Sequence, residues 1–209
     1  IHQIQRHIIG VLIHQKYARF RDLRPPQVDT NLYSYHLKVL QKEGWIEKMT
    51  EGYTLSLEGL AYVDRVSLKK LNIRTQPKII TMLVIQNTDG DVLLLRRNKQ
   101  PYIDTWTLPY GKTHIDDESI IASAQREWHE KLGQVPPILS HAGDCYIRTH
   151  RDGNVLSSTF THVFYAIYDD IELNDKLQWV RPHKLSHYTL APAVDKIITR
   201  TFFLFPYFF

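Results

Sequence analysis

The chain has little of what marks a secreted or membrane protein. It has one cysteine, Cys145, which cannot form an internal disulfide and therefore favours a reducing compartment. No apolar run approaches the roughly 20 residues of a membrane span, and the first residues carry polar and basic side chains in place of a signal-peptide core. These absences predict a cytoplasmic chain with no membrane partner. Disorder is not indicated either, since 43% of the 209 residues are hydrophobic and can bury a core.

The net charge of +4 is unevenly distributed. Residues 1–75 contain 12 Lys and Arg against 7 Asp and Glu, whereas residues 76–209 contain 14 against 15. A basic first third joined to a near-neutral remainder is typical of a partner-binding module fused to a second domain. We expect one domain at 1–70, a linker at 71–77 and a second domain at 78–209.

The first module has the pattern of three helices followed by a hairpin. Apolar residues recur at helical spacing from Ile4 to Ile13, Pro25-Pro26 closes a short second segment, and a third helix begins near Asn31. Gly44 is placed to end this helix, and two β-prone runs then flank Glu51-Gly52 as in a tight hairpin. This order predicts a small winged helix-turn-helix domain.

The stretch from about Thr30 to Tyr62 resembles the ArsR-like family of winged-helix repressors. The resemblance is carried by Ser34, His36-Leu37-Lys38, Leu40, Gly44-Trp45-Ile46 and the Tyr53-Thr54-Leu55 strand. It implies a homodimer that binds double-stranded DNA, with a polar and basic helix in the major groove and a basic wing on the phosphates. The candidate DNA-contacting residues are Asn31, Ser34, Tyr35 and Lys38 on the helix and Lys48 on the wing. The alternative is a dimerisation or docking domain whose charges are only solvated.

The second module alternates strands and helices. Asp89-Gly90 separates two apolar runs and Asp152-Gly153 separates two more, as in hairpins. Between them lies a helix that Gly133 ends, and a closing helix is expected at 190–204. The apolar stripe expected on the central helix consists of Ile121, Ala124, Trp128 and Leu132. This order predicts α/β layers with a mixed sheet.

The central helix carries carboxylates at metal-binding spacing. Glu127 and Glu130 share a face because they are three residues apart, and such carboxylates suit Mg²⁺, which often bridges to a substrate phosphate. With the Trp106–Gly111 stretch upstream, residues 78–205 resemble the Nudix family of pyrophosphohydrolases. That family's box is written G-x5-E-x7-R-E-U-x-E-E-x-G-U, where U is a bulky aliphatic residue. The residues that align with this motif are Gly111, Glu118, Arg126, Glu127, Trp128, Glu130 and Gly133.

The Nudix resemblance implies a fold and a set of roles. The fold is an α/β/α sandwich around a mixed sheet, and the cofactor is Mg²⁺ or Mn²⁺. Glu127 and Glu130 are the implied catalytic residues and metal ligands, together with Gly111 as a third ligand. Arg126 has a supporting role, in which it holds Glu118 or Glu127 in place.

Three departures from the box put hydrolysis in doubt. Six residues rather than five separate Gly111 from Glu118, Tyr110 replaces a glycine, and Lys131 replaces the last glutamate. Lys131 changes the charge by two units, and an ammonium about 5 Å from a divalent ion repels it by on the order of 5 kcal/mol at an effective dielectric near 20. Lys131 can pair with Glu127 at i, i+4, or turn into solvent and leave weakened metal binding.

Further polar residues are weaker candidates for metal or ligand binding. His114, Asp116 and Asp117 lie in the lengthened loop, where they can supply replacement metal ligands or simply be solvated. Candidate contacts to a nucleotide-type ligand are Tyr110, Arg148 and Arg151. Three histidines, His129, His141 and His162, show no metal-binding spacing and are interpreted as structural. The aromatic ending at 201–209 is interpreted as a packed tail or a subunit contact.

Taken together, these patterns lead to one hypothesis and two rivals. The hypothesis is a ligand-responsive DNA-binding regulator whose Nudix-like domain binds a nucleoside diphosphate derivative with weak or no hydrolysis. This combination resembles Nudix-related regulators of cofactor metabolism. The first rival is an active Mg²⁺-dependent pyrophosphohydrolase, and the second is a pure interaction protein.

Overall fold

The computed structural model describes residues 1–66 and 75–202. The chain divides into two compact units, Ile1–Thr75 and Gln76–Phe209. Most of the linker expected at 71–77 and most of the aromatic ending lie outside the described residues. Among the helices of the described ranges, none has the length and apolar content needed to span a bilayer.

The first unit consists of three helices and a two-stranded hairpin. Its elements are α1 (Gln3–His14), α2 (Thr30–Lys42), β1 (Ile46–Lys48), β2 (Tyr53–Leu55) and α3 (Leu57–Arg65). Strands β1 and β2 pair antiparallel, with Ile46 opposite Leu55, as the Glu51-Gly52 turn predicts. One apolar face of α1 and one of α2 meet in the core, where Ile8, Ile9 and Leu40 are fully or almost fully buried.

The segment before Pro25-Pro26 differs from the expected helix. The amide of Leu23 donates to the carbonyl of Arg19, and only a turn forms there. A single turn suffices to bury Leu23 completely, and the two prolines end the segment before a further turn can follow. The Asp29 carboxylate then accepts hydrogen bonds from the amides of Asn31 and Leu32 and so caps the start of α2.

The second unit is built on a seven-stranded mixed sheet. Its elements are β3 (Lys78–Gln86), β4 (Val92–Arg96), β5 (Trp106–Thr107), β6 (Tyr110–Lys112), α4 (Ile120–Leu132), β7 (Ser140–Arg151), β8 (Asn154–Ile167), β9 (Leu177–Val180), a 3₁₀ helix (Pro182–His187) and α5 (Val194–Phe202). The strand order is β5-β4-β3-β8-β7, with β6 beside β3 and β9 beside β4. Strands β3 and β8 are parallel, and the other pairs are antiparallel. Both Asp-Gly turns lie where the sequence predicts them.

One helix covers each face of this sheet. Side chains alternate along β3, so Ile80 and Val84 pack in one cluster with Ile197 of α5, while Leu83 packs in the other with Trp128 of α4. The result is the predicted α/β/α sandwich. It places α4 over the strand that pairs with Gly111.

The buried face of α4 differs from the expected apolar stripe. Ala124 and Trp128 are fully buried, but Ile121 is exposed. Ser123 and Glu127 are buried in its place. The buried face is therefore shifted toward Ser123 and Glu127, and Glu127 is paired there with Arg126 and Lys131 of the same helix.

Candidate functional site

Helix α4 presents the box residues at fixed positions. The Ser119 side chain accepts a hydrogen bond from the Ala122 amide at the start, and Gly133 ends the helix in the left-handed region at φ 70°. Glu127 lies on the inner side, with 3% of its surface exposed, although it is a charged residue. Burial of a carboxylate at this depth requires compensating charge or hydrogen bonds.

Two cations hold the Glu127 carboxylate. Its Oε1 lies 2.7 Å from Nη1 of Arg126, and its Oε2 lies 3.5 Å from Nζ of Lys131. Within the described residues, Oε2 is buried and accepts no hydrogen bond, so its contact with Lys131 is an ion pair without hydrogen-bond geometry. The i, i+4 pairing that the sequence allowed for Lys131 is the arrangement found.

Gly111 lies directly against this carboxylate. A Cβ atom built on Gly111 would fall 1.7 Å from Cδ of Glu127, so no larger residue fits without displacing the glutamate. Strand β6 holds the glycine there by pairing with Thr81 of β3. The structure therefore brings together Gly111, Glu127 and Lys131.

Arg126 joins the helix to the preceding loop. Its guanidinium donates to both carboxylate oxygens of Asp117, each at 2.9 Å, to Glu130 at 3.1 Å and to the carbonyl of Lys112 at 2.9 Å. Arg126 also contacts Glu127, and its carboxylate partner in the loop is Asp117 instead of Glu118, which is exposed. Counted from Gly111, Asp117 stands at the box's five-residue spacing. With Asp117 at that box position, the extra residue lies between Asp117 and Arg126.

These contacts shift the titration of both partners. Hydrogen bonds from the Arg126 guanidinium, followed by one from the His114 amide, hold the pKa of Asp117 well below its usual range. The hydrogen bond to Asp117 in turn raises the pKa of Arg126 above its usual range. Asp117 is therefore held in an ion pair with Arg126, whereas the neighbouring Asp116 is exposed.

A basic cleft opens beside the box residues. Its volume is about 790 Å³, and Glu127 is the one acid among the described residues that line it. Seven cations line it: Lys78, Arg96, Arg97, Lys99, Lys112, Lys131 and Lys176. Such an excess of positive charge in a concave site attracts a ligand with several negative charges.

The cleft includes only one of the three predicted ligand contacts. Tyr110 lines it, and the Arg97 guanidinium donates to the Tyr110 hydroxyl. Arg148 and Arg151 are not part of the lining, where β7 contributes Ile147 and Thr149 instead. Because side chains alternate along a strand, Arg148 faces the opposite side from these two.

Three of the seven cations that line the cleft lie at the end of strand β4 or directly after it. They belong to the run Arg96-Arg97-Asn98-Lys99, which was not among the predicted ligand contacts. A cluster of basic residues directly after an apolar strand was the available signal. His114 of the lengthened loop also lines the cleft.

Nudix enzymes typically use divalent metal ions, and the donor set here does not fit a magnesium centre as it is arranged. Two box carboxylates lie on the helix, Glu127 and Glu130, and Arg126 contacts both. The ammonium of Lys131 takes the side of Glu127 that faces away from Arg126. Mg²⁺ requires several oxygen ligands in near-octahedral geometry, and a cation in that position opposes it.

In the first unit, the predicted DNA-contacting residues lie on the outer face of α2. Asn31, Tyr35 and Lys38 are exposed and Ser34 is half-buried, with spacings that put all four on one side of the helix. Lys48 is exposed on β1. The opposite side of α2 is buried, and it includes His36, whose ring stacks on that of His2 at 4.1 Å. Burial, with the neighbouring His2, lowers the pKa of His36.

Two histidines interpreted as structural are brought together by the sheet. His141 and His162 both donate to Oδ1 of Asp144, at 2.9 and 2.6 Å. Burial raises the pKa of Asp144, but the two hydrogen bonds outweigh it and leave that pKa below its usual value. The third, His129, lies apart from them, with Nδ1 3.4 Å from the carbonyl of Gln134.

A comparison with protein families agrees with the box and the sandwich. The family model described as the NUDIX domain matches residues 76–201, which is more than half of the chain. The chain belongs to the Nudix family. No curated protein matches it.

Solved structures of Nudix proteins share the fold. The NUDIX domain of Shewanella oneidensis NrtR, complexed with ADP ribose, superposes with a TM-score of 0.51 at 20% identity, covering 68% of this chain and 94% of that one. NrtR with a 27mer DNA superposes at 0.50 with 21% identity, and 59% of each chain is covered. The MutT NUDIX hydrolase from Burkholderia pseudomallei superposes at 0.51 with 22% identity, covering 60% and 98%. At these identities, the likeness establishes the fold alone.

Proposed function

We propose that this protein is a ligand-responsive DNA-binding regulator, in which the Nudix domain binds a nucleoside diphosphate derivative and hydrolyses it weakly or not at all. The observation that carries the proposal is the ion pair between Lys131 and Glu127, at 3.5 Å beside a cleft lined by seven cations. The cleft keeps the charge needed to hold a diphosphate. The carboxylates needed to hold a metal ion are paired with protein cations.

The size and charge of the cleft support a diphosphate ligand. A volume of about 790 Å³ accommodates a molecule of nucleotide size. Arg97 lies 5.2 Å from the ring centre of Tyr110 and 6.0 Å from that of Tyr102, so aromatic and cationic surfaces are adjacent there. This combination suits a ligand with both a phosphate group and a flat ring or sugar. NrtR, whose NUDIX domain has been crystallised with ADP ribose, supplies a probe of that chemistry.

The regulatory half of the proposal rests on the first unit. The exposed side of α2 carries Tyr35 and Lys38, a hairpin follows it, and the unit's sequence is basic. These features support the winged-helix interpretation, with DNA bound by α2 and β1 and a homodimer as the active form. NrtR with a 27mer DNA provides a precedent by analogy for DNA binding by a Nudix protein.

An active Mg²⁺-dependent hydrolase is the alternative, and one observation favours it. Among the described residues, Glu127 Oε2 accepts no hydrogen bond although it is buried. If the Lys131 side chain, which is 35% exposed, turned into solvent, that oxygen would be left to a metal ion. The regulator and the hydrolase therefore differ in whether the Lys131 ammonium stays on Glu127 or turns into solvent.

The test combines ADP ribose binding with a hydrolysis assay. We expect calorimetry to show that the native chain binds ADP ribose without Mg²⁺, and chromatography to show little cleavage when Mg²⁺ or Mn²⁺ is added. The substitution Lys131→Glu restores the last glutamate of the box, and we expect Mg²⁺ to bind at least tenfold more tightly and cleavage to rise with it.

Lys196→Glu is the matched control. It makes the same charge change on an exposed position of α5, outside the lining of the cleft. It should leave both ADP ribose affinity and Mg²⁺ affinity as they are in the native chain. Rapid Mg²⁺-dependent cleavage by the native chain, unchanged by Lys131→Glu, would establish the hydrolase instead.

A further inference from the structure

A second group of metal-ligating side chains lies on strands β7 and β8. His141 and Asp144 belong to β7 and His162 to β8, and one ligand atom from each lies within 4.8 Å of the others. Within the described ranges, no other group of three or more His, Cys, Asp or Glu side chains comes this close together. It shares no residue with the box or with the lining of the basic cleft.

A β-bulge creates the cluster. The register of β7 on β8 shifts between His141 and Gly143, and Gly143 has a φ of 148° that favours glycine. In a regular strand, residues three apart face opposite sides of the sheet. The inserted residue returns Asp144 to the side of His141, and His162 is the direct cross-strand neighbour of Asp144.

The surrounding residues hold the histidine rings in place. The ring of His141 lies 5.5 Å from that of Phe164, and the ring of His162 lies 5.0 Å from that of Phe160. The side chain of His162 is 18% exposed, while that of His141 is 49% exposed. One side of the cluster is therefore covered by protein and the other is open to a small solute.

The donor set suits a borderline transition-metal ion. Two imidazole nitrogens and one carboxylate oxygen are ligands typical of Zn²⁺, whereas Mg²⁺ and Ca²⁺ prefer oxygen alone. Zinc bonds of about 2.0–2.1 Å put neighbouring ligand atoms of a tetrahedron about 3.3 Å apart. The present contacts to Asp144, 2.9 and 2.6 Å, are shorter than this by about 0.4 and 0.7 Å, and all three ligand atoms lie within 4.8 Å of one another, so metal binding requires the two rings to adjust.

We propose that His141, Asp144 and His162 form a transition-metal site, selective for Zn²⁺ over Mg²⁺, with one coordination position left open to solvent. The ion replaces the two protons that the histidines share with the carboxylate. It joins β7 to β8 at the edge of the sheet, where β7 is the last strand in the order. The site is independent of the outcome at Lys131.

The test measures metal binding by the tag-free full-length chain. We expect equilibrium dialysis to find one Zn²⁺ per chain, retained in excess Mg²⁺, and Co²⁺ to give the visible absorption bands of a four-coordinate nitrogen and oxygen site. His141→Ala changes the most exposed ligand and is therefore compatible with folding, which circular dichroism verifies. It should weaken Zn²⁺ binding at least tenfold and abolish the Co²⁺ bands, and Asp144→Asn should do the same.

Two variants are the controls. His129→Ala removes a histidine outside the cluster, and Glu127→Gln alters the box, so both should bind Zn²⁺ as the native chain does. The proposal is overturned if the native chain binds no Zn²⁺ or if His141→Ala retains native affinity and absorption. It is also overturned if Glu127→Gln is the variant that loses the ion.

Discussion

At the scale of single residues, the contact between Gly111 and Glu127 shows how closely the box is packed. The glutamate is buried and held by Arg126, so it cannot simply move away from an added atom. The glycine lies in β6, hydrogen-bonded to the central strand, so the backbone is equally constrained. Glycine is required at this position because of close approach and not because of an unusual backbone angle.

Gly111→Ala should therefore destabilise the Nudix domain. Its Cβ would lie 1.7 Å from Cδ of Glu127, and overpacking of this kind typically costs about 1–3 kcal/mol. Urea denaturation followed by tryptophan fluorescence measures the free energy of unfolding. In a double-variant cycle with Glu127→Ala, which removes the opposing carboxyl, the loss should be much smaller than the sum of the two single losses. Strict additivity would show that the clash does not exist.

At the scale of elements, Arg126 fastens the lengthened loop to α4. It reaches the carbonyl of Lys112 at one end of the loop and the carboxylate of Asp117 at the other. The Asp117 side chain is 11% exposed, so water screens this pair less than an ordinary surface pair. The loop carries His114 to the cleft, and the ion pair thus positions part of the cleft wall.

This ion pair should make stability depend on pH in a defined direction. The pKa of Asp117 is lower in the folded chain than in the unfolded chain, so its contribution is complete at neutral pH and is lost as the pH falls below about 4. Asp117→Asn should lower the melting temperature at pH 7, and the difference from the native chain should shrink toward pH 3. Asp116→Asn, at the exposed neighbouring position, is the control and should have little effect at either pH. A constant difference across this range would contradict the proposed pairing.

At the scale of the whole molecule, the chain joins a basic unit to a Nudix domain. A regulator of the proposed kind needs a free-energy coupling between the two binding events, and such coupling is reciprocal. The ligand must have different affinities for the DNA-binding and the non-binding state, since equal affinities shift no equilibrium. The proposal is therefore testable without knowing which state the ligand favours.

ADP ribose should change DNA affinity by at least fivefold, and DNA should change ADP ribose affinity by the same factor. Fluorescence anisotropy with a duplex from upstream of the protein's own gene measures the first, and calorimetry measures the second. Lys38→Ala should weaken DNA binding and reduce the salt dependence by about one phosphate contact. Lys196→Ala, in the other unit, should not. If DNA affinity is the same with and without ADP ribose, the ligand has no regulatory role.

The elements that sequence predicted well are those with a local cause. The Asp-Gly turns, the end of α4 at Gly133 and the hairpin after α2 each depend on a few adjacent residues. The helix predicted before Pro25-Pro26 was wrong: the segment forms a single turn, which is enough to bury Leu23. The predicted apolar stripe on α4 was wrong at Ile121, which is exposed, because the buried face includes the ion-paired Glu127 instead.

The sequence by itself determined the Nudix fold and placed Glu127, Glu130 and Lys131 on one helix, because those residues are neighbours within two turns. Only the tertiary structure decided that Asp117 pairs with Arg126, that the run after β4 lines the cleft, and that two histidines meet at Asp144. These contacts join residues on different elements or across a bulge. Their geometry depends on strand pairing and helix rotation, which spacing along the chain does not encode.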